Sequence, residues 1–109
     1  MKPGQPFLLM RARPLPEHTD AFRQWFRGVH LGDARKIPGI SQIEATETSG
    51  GTFLALYSFD GAEAVQVALA SPQAAYTRGT IEQWTAKLEE LQIEMFTPLG
   101  ALPIFSSRN

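Results

Sequence analysis

Two hydrophobic periods alternate along the chain. The run Phe7-Leu8-Leu9-Met10, continuing through Arg11-Ala12-Arg13 and bounded by Pro6 and Pro14, has the length of a buried strand. From about Glu17 the period changes to that of an amphipathic helix, with Phe22, Trp25, Phe26 and Val29 at i, i+3, i+4 and i+7 and His30 at the edge of the stripe. Pro38-Gly39 ends it, because proline biases the preceding residue away from helical geometry and glycine permits a sharp turn. Residues 40–47 mix polar and apolar positions. Gly50-Gly51 is a turn signal, and Thr52 to Phe59 is strongly apolar, so the stretch reads as a hairpin.

Asp60 with Glu63 three positions on predicts a helix start, and Ala62, Val65 and Leu69 follow at helical spacing. Ser71-Pro72 supplies a second start, with an N-cap followed by a first-turn proline. Gly79 predicts a break, and Thr80-Ile81-Glu82-Gln83 a further helix whose stripe is Ile81, Trp84, Leu88 and Leu91. The last strand is expected over about 92–97, stopped by Pro98, with an apolar tail after it.

The order strand, helix, strand, strand, broken helix, strand predicts an α+β ferredoxin-like βαββαβ domain: a four-stranded antiparallel sheet with its helices on one face, over residues 1–109. The first and third strands are then central. Both carry apolar residues on both faces. Phe53, Ala55, Tyr57 and Phe59 oppose Leu54, Leu56 and Ser58, and Leu8, Met10 and Ala12 oppose Phe7 and Leu9. Helices cover one face only, so the other needs a cover, and a symmetric second copy is the commonest one. The expected assembly is a homodimer, with residues 99–109 packing on the partner.

The 109 residues, 43% of them hydrophobic, suffice for one core. With no cysteine there is no disulfide framework, thiolate nucleophile or Cys-based metal site. His18 and His30, twelve positions apart, do not form a helical ligand pair, so no metal site is expected. The net charge of −1 comes from scattered acids and bases, which argues against a nucleic-acid partner. The four-residue apolar run at the start is too short for a signal or a membrane span, so the expected location is the cytoplasm. No phosphate loop or G-x-S-x-G elbow is present, and no cofactor is expected.

With Phe22-x-x-Trp25-Phe26-x-x-x-His30, Pro38-Gly39-Ile40, Phe59-Asp60 before an Ala-rich helix, and Ser71-Pro72, the chain resembles the EthD-like branch of the dimeric α/β-barrel superfamily over residues 7 to 97. One departure is that Phe26 stands four residues before the histidine, where the family usually has tryptophan. The resemblance implies a dimer whose two sheets pack face to face into a barrel, with a pocket between each sheet and its own or partner helices. It singles out His30 as an acid or base. Relatives include cofactor-independent monooxygenases, isomerases, cyclases, decarboxylases and stress-responsive proteins with no known reaction, so the fold does not select the chemistry.

The expected pocket lies between the open sheet face and the first helix. Its lining is drawn from Leu9, Trp25, Phe26, Leu54 and Leu56, with His30 moving a proton and Arg11 holding an anionic oxygen. The expected ligand is a small apolar or aromatic acid or ketone. Each assignment has a structural alternative. His30, which in the functional reading contributes little to the core from the edge of its stripe, otherwise caps a helix end; Arg11 is a solvated strand end or an ordinary ion pair with Glu44 or Glu94, and Trp25, Trp84 and Tyr57 are core. Two functions remain open: an enzyme with a histidine acid/base, and a non-catalytic accessory or ligand-binding dimer. Haem ligation through His30 would lack any second supporting residue.

Overall fold

A computed structural model describes residues 5–98. The chain runs β1 (Phe7–Pro14), a 3₁₀ turn (Pro16–His18), α1 (Thr19–Trp25), a π-helical turn (Phe26–His30), α2 (Leu31–Ala34), β2 (Ile40–Glu47), β3 (Phe53–Phe59), α3 (Ala62–Leu69), α4 (Pro72–Glu82), a second 3₁₀ turn (Thr85–Lys87) and β4 (Leu88–Phe96). The sheet order is β2-β3-β1-β4 with every neighbouring pair antiparallel, which places the two most apolar strands at the centre. This is the α+β ferredoxin-like architecture that the element order predicts.

Strand parity divides the sheet. Met10, Ala12, Phe53, Ala55, Tyr57 and Phe59 are buried under the helices, where they meet Phe22, Phe26, Ala34 and Ile81. On the opposite face, register aligns Glu44, Leu56, Leu9 and Glu94 in one row across the four strands, and Thr46, Leu54, Arg11 and Gln92 in the next. Within the described residues this face is open. The first of these rows is apolar at its centre and acidic at its edges, the lateral pattern of an interface with a polar rim, while the second carries Arg11 on a central strand.

Several local readings need correction. The cap of α3 is Gly61, with no side-chain bond, rather than Asp60. Helix α4 runs through Gly79 without a break, since a glycine costs a helix interior only about 1 kcal/mol. It then ends at Glu82. Leu88 and Leu91 belong to β4, which pairs with β1 from Pro14 outward and so begins four residues before the expected strand. The Ser71 cap is as expected: its hydroxyl accepts from the Ala74 amide at 3.1 Å, with Pro72 in the first turn. The expected contact of residues 99–109 with a partner lies outside the described residues.

The Pro38-Gly39 turn has a specific reason for its glycine. Gly39 sits at φ 91°, and a Cβ there would come within 2.6 Å of the Ala64 carbonyl oxygen on α3. The turn fits against α3 only without a side chain.

Candidate functional site

The first helical segment positions the histidine. In a straight α-helix Val29 would continue the Phe22–Phe26 stripe and His30 would lie at its edge. The π-helical turn over Phe26–His30 takes more residues per turn and rotates the positions after Phe26, so His30 comes inward at 1% exposure while Val29 turns out at 46%. His30 is therefore a core residue. The expectation that it contributes little to the core does not hold.

Its ring is bonded at one nitrogen and packed against two aromatic side chains. Nε2 lies 2.5 Å from the Tyr57 phenolic oxygen, Phe26 stacks at 5.5 Å between centroids, and Trp25 is tilted at 5.2 Å. Nδ1 is buried, with no hydrogen-bond partner among the described residues. Burial lowers the imidazole pKa to about 4, opposed in part by the negative charge of Asp33, so the ring is neutral at pH 7. Burial pushes the Tyr57 phenol above its ordinary range, and it stays protonated.

Two proton arrangements satisfy this pair. The phenol donates to Nε2 and leaves Nδ1–H as a donor, or Nε2–H donates to the phenol oxygen, whose own hydrogen points to Met10 Sδ at 3.9 Å. Moving protons between them switches Nδ1 from donor to acceptor.

A cavity of about 200 Å³ adjoins the pair on the helix side of the sheet. Leu8, Met10, Tyr57 and Phe59 form its floor, with Ile40 and Ile93 toward the sheet edges. The first helical segment contributes His30 and Ala34, α3 contributes Ala68 and Leu69, and α4 contributes Ala74, Thr77, Arg78 and Ile81. The space exists because three of the helical residues facing the sheet, Ala34, Ala68 and Ala74, are too small to fill it. Leu69, Arg78 and Ile93 are exposed, so the cavity reaches the surface between α3, α4 and the β4 edge.

The expected site residues are divided between the two sides of the sheet. Of the seven, His30 alone lines this cavity. Trp25 and Phe26 pack around the imidazole but do not line the space. Leu9, Leu54, Leu56 and Arg11 have the opposite strand parity and lie on the open face. Arg11 is half-exposed, 3.8 Å from Glu90 rather than from Glu44 or Glu94. Within one protomer it cannot share a ligand with His30, because the sheet separates them. Tyr57 points toward the helices, as its parity predicts, yet it also borders the cavity. The signal for that role is the set of alanines opposite it.

Among the described residues, no group of three His, Asp or Glu side chains could hold a metal ion, and no helix is long and apolar enough to cross a membrane.

The sequence matches no family model and no curated protein. Solved structures do match. An EthD family protein from Bacillus halodurans C-125 superimposes with a TM-score of 0.69 at 20% identity, covering 86% of this chain and 99% of that one. A putative antibiotic biosynthesis monooxygenase from Deinococcus radiodurans gives 0.65 at 19% identity, covering 92% and 98%. SnoaB from Streptomyces nogalater, described as a cofactor-independent oxygenase, gives 0.64 at 17% identity, covering 92% and 98%. These identities carry the fold and not the reaction. The chain has the α+β ferredoxin-like fold of these EthD and antibiotic biosynthesis monooxygenase structures.

Proposed function

We propose that this protein is a homodimer that binds a small, mostly apolar molecule in the helix-side cavity, with the ligand's oxygen meeting the His30–Tyr57 pair. The observation that carries this reading is the pair itself. A neutral imidazole, its buried Nδ1 unpartnered among the described residues, and a phenol sit together in the wall of a cavity otherwise made almost entirely of hydrocarbon. A few polar groups in an apolar cleft orient a ligand without holding it by charge.

The lowered pKa ranks binding ahead of catalysis. An imidazole near 4 is a weak base at pH 7, far from the match between catalytic pKa and working pH that favours general base catalysis. Proton abstraction by His30 therefore needs an anionic oxygen beside the ring, which raises its basicity as the proton moves. A cofactor-independent reaction of the kind named for SnoaB fits that condition if the ligand carries an acidic O–H or C–H. The non-catalytic alternative needs nothing further.

The dimer follows from the open face, where Leu9, Leu54 and Leu56 are apolar on the two central strands and Phe7 of β1 stacks on Phe96 of the edge strand β4. In this reading Leu9, Leu54 and Leu56 meet the partner sheet, and Arg11 lies beside that contact.

Titration with 4-phenylbutan-2-one tests the ligand site, read by the fluorescence of Trp25, whose ring lies against His30. Saturable binding is expected, and Ala74→Phe, which fills the cavity, should weaken it more than tenfold. Equal affinity for both proteins would refute the assignment.

A further inference from the structure

We infer that Arg78 is the specificity residue of the cavity, holding the anionic group of a small amphipathic acid whose apolar body lies inside. This rests on the cavity reading above and adds the chemical class of its ligand. Helix α4 turns Ala74, Thr77, Arg78 and Ile81 toward the cavity, at i, i+3, i+4 and i+7. The stripe that faces the space thus carries a guanidinium among small and apolar side chains. Among the described cavity-lining residues Arg78 is the one charged at neutral pH, since burial keeps His30 neutral.

Arg78 is exposed and has no ion-pair partner among the described residues, unlike Arg11, Arg13 and Arg23. Glu82, one turn further along α4, is not within ion-pairing distance. A guanidinium left unpaired at the mouth of an apolar cavity suits a carboxylate, to which it can give two parallel N–H bonds. The two ends of the site then differ: the mouth selects an anion, and the inner end offers the neutral hydrogen-bonding pair His30 and Tyr57. An acid with a second oxygen at its far end meets both.

The test compares 3-phenylpropanoate with 3-phenylpropan-1-ol, which match in apolar body and differ in charge, by calorimetric titration at pH 7 and low salt. The wild type should bind the acid about fivefold more tightly, in keeping with a partly exposed charge-assisted contact, and added salt should erase the difference. Arg78→Gln should abolish the preference by weakening the acid far more than the alcohol, whereas Arg78→Lys should retain part of it. Arg27→Gln, which removes a cation remote from the cavity, should keep the preference intact.

An acid bound no more tightly than the alcohol by the wild type would overturn the role of Arg78 and leave the cavity reading standing. So would a preference that survives Arg78→Gln, or that Arg27→Gln removes equally. If the wild type binds neither compound, the cavity reading falls and the role of Arg78 with it.

Discussion

The imidazole Nε2 of His30, on the π-helical turn, lies 2.5 Å from the phenolic oxygen of Tyr57 on β3, joining helix layer and sheet across 27 positions of sequence. Both groups are buried, so the bond is structural as well as a candidate for chemistry. Removing either partner takes from the other its side-chain hydrogen bond across the two layers. Tyr57→Phe should cost about 1–3 kcal/mol of folding stability, and His30→Ala about 2–4 kcal/mol because it also opens a void beside Phe26 and Trp25. A double-mutant cycle by urea denaturation should return a coupling of about 1 kcal/mol or more. Strict additivity would mean that the pair contributes nothing.

Acid should unfold the protein through the same group. The folded pKa of His30, about 4, lies below the ordinary value of 6.5 expected in the unfolded chain, so between these values the unfolded state takes up a proton that the folded state refuses. This contribution is fully present above pH 6.5, is lost as the pH falls toward 4, and amounts to about 3 kcal/mol over that window. In His30→Gln that part of the pH dependence should vanish. An NMR titration placing the His30 midpoint near 6.5 would contradict the buried, neutral ring.

Gly39→Ala should be destabilising by about 1–3 kcal/mol, since the new methyl meets the Ala64 carbonyl at 2.6 Å and the backbone is held at φ 91°. Gly79→Ala, in the unbroken interior of α4 with nothing beyond its own helix backbone within 4 Å of the new methyl, should instead be neutral or stabilising. Thermal denaturation of the two variants checks both signs.

The open sheet face should hold the dimer together. Leu56→Glu sets a third carboxylate into the row that already holds Glu44 and Glu94, in register with Leu9. Light scattering should show a dimer for the wild type at micromolar concentration and a monomer for the variant. A monomeric wild type would remove the assembly from the account.

Most of the fold is legible in the sequence because strand parity and helix period act locally. The apolar runs at 7–13 and 52–59, the Gly50-Gly51 turn and the Ser71-Pro72 cap each lead to the element that forms. The end of the second helical region is not, because Trp84, Leu88 and Leu91 mimic a helical stripe, while pairing with β1 draws Leu88 onward into a strand.

The site is only half legible. The sequence singles out His30, but the burial of that residue depends on a π-helical turn that a 3.6-residue period cannot express. The cavity lies on the other side of the sheet from the one the strand pattern suggests. Two apolar strand faces show that something must cover the open one, but not that alanines on the helices leave room beneath the other. The three small residues at 34, 68 and 74 come from separate segments, and tertiary packing brings them together.

The most direct measurement of the central claim is an NOE experiment on the protein with bound 4-phenylbutan-2-one, using methyl-labelled methionine, alanine, leucine and isoleucine. The account predicts contacts from the ligand to Met10, Ala68, Ala74 and Ile81 on the helix side of the sheet. Contacts to Leu9, Leu54 and Leu56 instead would put the ligand on the open face and contradict it.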